Sequence, residues 1–107
     1  MLAKKYKLPI NTFLNKKTAS LKQPPYFNFK IISNNLNFSR FGVVISKKVS
    51  PKAVERNKIK RTIFNFIRTK KYHLNLGKDI LIIVYPETAK IEKEKIEKKL
   101  SVIEKIF

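Results

Sequence analysis

Nineteen of the 25 Lys and Arg residues lie before Asp79, and a single acid, Glu55, stands among them. That imbalance constrains the fold more than any other feature. Whatever apolar surface residues 1–78 bury, their cations must stay outside on a surface of one sign. Residues 79–107 carry six acids and six bases, so the formal charge of +18 belongs to the earlier part of the chain. Small domains ordinarily carry a net charge of about 2–8 in magnitude. A surface this basic calls for an anionic partner.

At 107 residues and 43% hydrophobic side chains the expectation is one domain over 1–107, with residues 1–8 a basic, mobile N-terminus. A two-domain enzyme is excluded. The chain has no cysteine, which removes disulfide scaffolds, thiolate zinc sites and cysteine nucleophiles. Met1 to Lys7 is basic enough to begin a signal peptide, but Pro9, Asn11, Thr12, Asn15, Lys16 and Lys17 interrupt any apolar stretch after it. The longest apolar run, Ile80 to Tyr85, falls far short of the roughly 20 residues that span a bilayer. The expected location is therefore cytoplasmic, without a membrane partner.

Several spacings indicate structure. Ile10, Phe13 and Leu14 suit about two turns of helix. Tyr26 to Ile32 is aromatic and β-branched and reads as a strand; Asn34 to Asn37 is turn chemistry, and Phe38 to Lys47 reads as an antiparallel partner, the two forming a hairpin. Ser50-Pro51 signals a helix start, and a helix is expected from Pro51 to Tyr72, with Ile59, Ile63, Phe66 and Ile67 as its buried stripe. Leu76 to Asp79 breaks it. Ile80 to Tyr85 is apolar without alternation, as in a strand covered on both sides or flanked by strands. From Lys90 the spacing of Ile91, Ile96, Leu100, Ile103 and Phe107 gives a final amphipathic helix with Glu94 and Lys98 as an i, i+4 pair.

The densest chemistry is Ser46-Lys47-Lys48 at a strand end, followed by Lys52, Arg56, Asn57, Lys58, Lys60 and Arg61 over the first turns of the long helix. A helix N-terminus presents free N–H groups and a positive dipole end, so cations there cost stability unless an anion offsets them. A phosphate backbone does so, because each neutralised phosphate releases condensed counterions. Lys60, Arg61, Arg68 and Lys71 flank the apolar stripe on the side where Asn57 and Phe64 point. The lone His73 has no histidine or cysteine companion, which suits a plain loop position. The acids of the last helix alternate with lysines as solvated decoration. With one acid before Asp79, no metal is expected to be held by the protein alone, and a self-sufficient basic nuclease is disfavoured. No phosphate-loop or nucleophile-elbow motif is present, and no small-molecule substrate is implied.

The segment Arg40-Phe41-Gly42-Val43-Val44-Ile45-Ser46-Lys47-Lys48-Val49, followed by Ala53-Val54-Glu55-Arg56-Asn57-Lys58-Ile59-Lys60-Arg61, resembles the protein subunit of bacterial ribonuclease P. The shared signature is R-x-G-x-x-x-S-K-K, a short linker, and R-N-x-x-K-R. Gly77-Lys78-Asp79-Ile80 and the final helix follow in the family's order. The resemblance implies a two-layer α+β sandwich of order α-β-β-β-α-β-α: one four-stranded sheet with helices packed on it and a left-handed βαβ crossover, against the usual preference. It also implies that a catalytic RNA performs Mg²⁺-dependent removal of the 5′ leader from precursor tRNA, the ion being held mainly by RNA and substrate. The protein would bind that RNA and the leader without catalytic residues of its own.

Carried over by position, Lys47, Lys48, Lys52, Arg56, Asn57, Lys58, Lys60, Arg61 and Arg68 would face the catalytic RNA. Phe13, Phe27, Phe29, Arg56, Lys60 and Phe64 would lie at the leader cleft. The family commonly has another arginine where this chain has Phe64, and Arg68, one turn further, stands in as substitute. The alternative is a ribosomal-type or generic RNA chaperone with no part in cleavage.

Overall fold

The computed structural model describes residues 3–8, 19–75 and 77–107. The helix expected around Ile10, Phe13 and Leu14 lies outside them. Six regular elements follow: β1 (Ala19–Gln23), β2 (Phe27–Ser33), β3 (Arg40–Ile45), α1 (Ala53–Lys70), β4 (Lys78–Val84) and α2 (Lys93–Leu100), with 3₁₀ turns at Lys4–Tyr6, Tyr72–Leu74, Pro86–Lys90 and Ser101–Ile106. The strands form one mixed sheet in the order β1-β2-β4-β3. β2 runs antiparallel to both β1 and β4, and β3 lies parallel to β4.

The expected hairpin between β2 and β3 is thus corrected: β4 lies between them. The physical reason is that β4 is apolar on both faces. Ile80, Ile82 and Val84 point to the helix side, opposite Ile31, Phe29 and Phe27 on one neighbour and Phe41, Val43 and Ile45 on the other. Leu81 and Ile83 cover the reverse side, so the strand gains most by having a neighbour on each edge. The hairpin that does form joins β1 to β2 around Pro24 and Pro25.

α1 closes the core with Ile59, Ile63, Phe66 and Ile67, the expected stripe, and adds Phe64. It starts at Ala53 rather than Pro51. The Ser50 hydroxyl accepts from the Lys52 N–H at 3.3 Å, which turns the chain one step ahead of the helix instead of capping it. The helix ends before Tyr72 because Lys71 is left-handed, with φ 59°. The final helix is likewise shorter than expected: α2 gives way to a 3₁₀ turn after Leu100. Ile96, Leu100 and Ile103 are buried, while Phe107 is exposed. The Glu94–Lys98 pair is absent from the ion pairs among the described residues.

Three motif positions, Arg40, Gly42 and Asp79, are spent on this frame. Arg40 and Asp79 face each other across β3 and β4. The guanidinium donates from Nε to Oδ1 at 2.8 Å and from Nη2 to Oδ2 at 2.6 Å, and Asn34 donates to Oδ1 at 2.8 Å. That carboxylate hydrogen bond holds the Arg40 guanidinium above its ordinary pKa. Gly42 lets the N-terminal segment approach. A Cβ there would stand 3.3 Å from the Leu8 carbonyl oxygen and 3.2 Å from Leu81 Cδ1. The Leu8 N–H donates to the Phe41 carbonyl at 2.8 Å, and Lys7 bridges to Phe41 in parallel. Residues 3–8 of the basic N-terminal segment thus lie against the β3 edge.

Candidate RNA interface

Ser46 ends β3 with a tight turn: its hydroxyl accepts from the Lys48 N–H at 3.2 Å and its carbonyl from the Val49 N–H at 3.1 Å. Val49 and Ser50 are buried, so Lys47 and Lys48 are thrust outward beside the head of α1. No side chain caps α1. Its first turns carry Lys52, Asn57, Lys58, Lys60 and Arg61 exposed and Arg56 half-buried.

Asn57, Lys60 and Arg61 converge, together with Val54, on an open depression of about 380 Å³ that, among the described residues, Lys7 also lines. Lys7 is a site residue that motif reading passes over, because it reaches α1 only through the docking of residues 3–8 on β3. The clue in the sequence was the basic N-terminal run itself. Lys58 lies elsewhere, on the opposite flank of α1. With Glu55 and Thr62 it lines a second depression of about 270 Å³ against Thr88, Ile91 and Ile96. Arg68 is exposed on the same flank as Asn57 and Arg61, but its eleven-residue separation from Asn57 is roughly 16 Å along the axis.

The aromatic assignments change. Phe27 and Phe29 have no accessible surface and lie in the core, ring centroids 5.8 Å apart. Buried rings of this kind have no face free for a base, so neither serves as a stacking platform. Alternation separates the Phe27/Phe29 set from the Asn28 set, and the Phe27/Phe29 set is the one that the core takes up. Phe64 is buried too, at 2% exposure, as part of the core cluster, and the Lys7 ammonium lies 5.6 Å from its ring centroid. Phe13 lies outside the described residues.

The sheet face away from the core presents two rows: Lys22, Asn28, Ile83 and Val44, then Ser20, Lys30, Leu81 and Gly42. Asn28 is buried there with its Oδ1 unpartnered among the described residues. His73, expected in a plain loop, sits in a 3₁₀ turn with its ring 4.5 Å from Tyr6, and burial pushes its pKa down. Among the described residues no three His, Asp or Glu side chains gather where a metal ion would sit, so these residues do not fit a protein-held cation. No described helix is long and apolar enough to cross a membrane.

A mixed four-stranded sheet with helices on it and a strongly basic face at the head of α1 defines a small, basic α+β protein. Comparison with known proteins gives the particular kind. The Ribonuclease P family model matches residues 12–106. The Ribonuclease P protein component of Syntrophus aciditrophicus is 33% identical over 78 residues, 73% of this chain and 65% of that protein. That of Synechocystis is 45% identical over 49 residues, 46% of this chain and 40% of that protein. The chain thus spans less than two thirds of the length of these curated relatives. Among solved structures, the RNase P protein of Staphylococcus aureus superposes with a TM-score of 0.81 at 30% identity, covering 94% of each chain. The RNase P protein from Thermotoga maritima gives 0.78 at 27% identity, covering 91% of this chain and 93% of that one. The chain belongs to the ribonuclease P protein family.

Proposed function

We propose that this chain is the non-catalytic protein subunit of a bacterial ribonuclease P ribonucleoprotein, binding the catalytic RNA and assisting its removal of the 5′ leader from precursor tRNA. The observation that carries this function is the convergence of Asn57, Lys60 and Arg61 with Lys7 on one open depression beside exposed Lys47 and Lys48. Phosphates held there bring two RNA molecules together against their mutual repulsion. Arginine supplies bidentate contacts and lysine mobile point charges. Mg²⁺ is assigned to the RNA and its substrate; this chain's residues supply no step through it. With the core face of the sheet filled, the leader is assigned to the opposite face, along Lys22 and Lys30.

The test is precursor-tRNA cleavage by a bacterial ribonuclease P RNA at low Mg²⁺, with and without the protein. Cleavage at the mature 5′ end is expected to be restored, and failure with the cognate RNA would refute the assignment. Lys60→Ala is expected to lower the slope of log affinity against log salt by about 1 per lost phosphate contact. Equal affinity for leader-bearing and leaderless tRNA in the presence of the catalytic RNA would favour a general RNA chaperone instead.

A further inference from the structure

Glu55 is out of place. It is the only acid among the first 78 residues and sits in the first turn of α1, on the Lys58 flank, one helix face away from the depression that the function proposed above commits to phosphate. It forms no ion pair among the described residues, although Lys52, Arg56 and Lys58 are near in sequence. Its recorded partner is the Ser50 hydroxyl, which donates to Glu55 Oε2. Ser50 is 4% exposed, so without Glu55 that buried hydroxyl loses its acceptor. The Ser50 carbonyl in turn accepts from Arg56 Nη1 at 2.8 Å, and its Oγ accepts from the Lys52 N–H. The serine is gripped from both its side chain and its backbone by consecutive residues of α1.

We propose that Glu55 is a positioning residue for the RNA interface: through Ser50 it locks the Ser46–Ser50 turn onto the first turn of α1, so that Lys47, Lys48 and Arg56 meet phosphate as one rigid set. The inference rests on the function proposed above. The benefit is in entropy, because a preformed set of cations need not be ordered at the moment of binding. Its sign distinguishes it from the alternatives. A merely solvated acid repels phosphate, so Glu55→Ala would tighten RNA binding. An acid serving only the helix dipole would make Glu55→Gln behave like Glu55→Ala and leave Ser50→Ala without effect.

The experiment compares wild-type protein, Glu55→Ala, Glu55→Gln and Ser50→Ala, each first shown to be folded by circular dichroism. Affinity for ribonuclease P RNA is measured alongside amide exchange at Lys48, Val49 and Lys52 in the free protein. Glu55→Ala is expected to weaken binding about fivefold, the loss of one net hydrogen bond, and to speed exchange at those amides. Ser50→Ala is expected to do the same. Glu55→Gln, which keeps an acceptor for the hydroxyl and removes the charge, is expected to bind at least as tightly as wild type. Unchanged or tighter binding by Glu55→Ala would overturn the positioning role, as would faster exchange with undiminished affinity. Failure of the wild-type protein itself to bind the RNA would instead overturn the function on which the role rests.

Discussion

Truncating Arg40 to alanine tests whether the signature's first residue serves the frame or the RNA. The Asp79 side chain is 3% exposed and that of Arg40 26% exposed, so the two mutations are not equivalent. Without Arg40, the carboxylate keeps only the Asn34 amide as a recorded side-chain donor and has almost no access to water. Orphaning a buried charge costs about 3–5 kcal/mol. Because Arg40 opens to solvent, water enters the space it leaves, which places Arg40→Ala near the lower end, about 3 kcal/mol. Asp79→Asn removes the buried charge instead and leaves a guanidinium that solvent already reaches, a loss of about 1–2 kcal/mol.

Urea unfolding followed by circular dichroism, at fixed sulfate, measures both. With a slope of about 1–3 kcal/mol per molar urea, Arg40→Ala is expected to lower the midpoint by about 1–3 M, and Asp79→Asn by roughly half as much. After Asp79→Ala, adding Arg40→Ala is expected to cost little more. An Arg40→Ala loss below about 1 kcal/mol, or an Asp79→Asn loss that exceeds it, would refute the reasoning from burial. RNA affinity of the folded Arg40→Ala protein is expected to be unchanged.

Three further outcomes are expected. Gly42→Ala pushes a Cβ against the Leu8 carbonyl and is expected to cost about 1 kcal/mol; unaltered amide exchange at Leu8 would show that the contact does not hold the segment. Burial keeps the folded-state pKa of His73 below its unfolded value near 6.5. Below about pH 6.5 the unfolded chain therefore takes up the proton first, and stability present above that pH falls as the solution is acidified. His73→Phe is expected to flatten the fall in melting temperature between about pH 7 and 5.5, and parallel curves for variant and wild type would exonerate the histidine. Finally, a charge of +18 repels itself, so sulfate at constant ionic strength is expected to raise the melting temperature; identical melts would exclude specific anion linkage.

What could be read from the sequence follows the range of the interactions. α1 and its stripe were legible because a period of about 3.6 residues is a local property. The basic cluster was legible for the same reason, lying within sixteen consecutive residues from Ser46 to Arg61. Pairing was not. Nearness in sequence favoured a β2–β3 hairpin, although the two-sided apolar character of Ile80 to Val84 already argued for a place between strands. β1 came from the family resemblance alone, because Ala-Ser-Leu-Lys-Gln lacks β-branched and aromatic residues; its partner β2 makes it a strand. Lys7 joins the site through a contact 34 positions away in the chain, at Phe41, which no local pattern encodes. The face of β2 was recoverable: Phe27, Phe29 and Ile31 alternate with Asn28 and Lys30, and the apolar set fills the core.

The signature mixes two kinds of residue, and only the structure separates them. Arg40 and Asp79 join β3 to β4, Gly42 admits the N-terminal segment that delivers Lys7, and Ser50 with Glu55 ties the lysine turn to α1. Lys47, Lys48, Asn57, Lys60 and Arg61 then stand free on the surface those contacts shape. The two groups should respond differently to salt. Losing a surface cation removes a phosphate contact and flattens the salt dependence of RNA binding. Losing Arg40 changes stability, and apparent binding only through the fraction folded, while leaving the number of phosphates neutralised by the folded protein nearly constant. Parallel salt titrations of Arg40→Ala and Lys60→Ala therefore sort the motif by mechanism: equal slopes for the two variants would mean that Arg40 touches RNA, or that Lys60 does not.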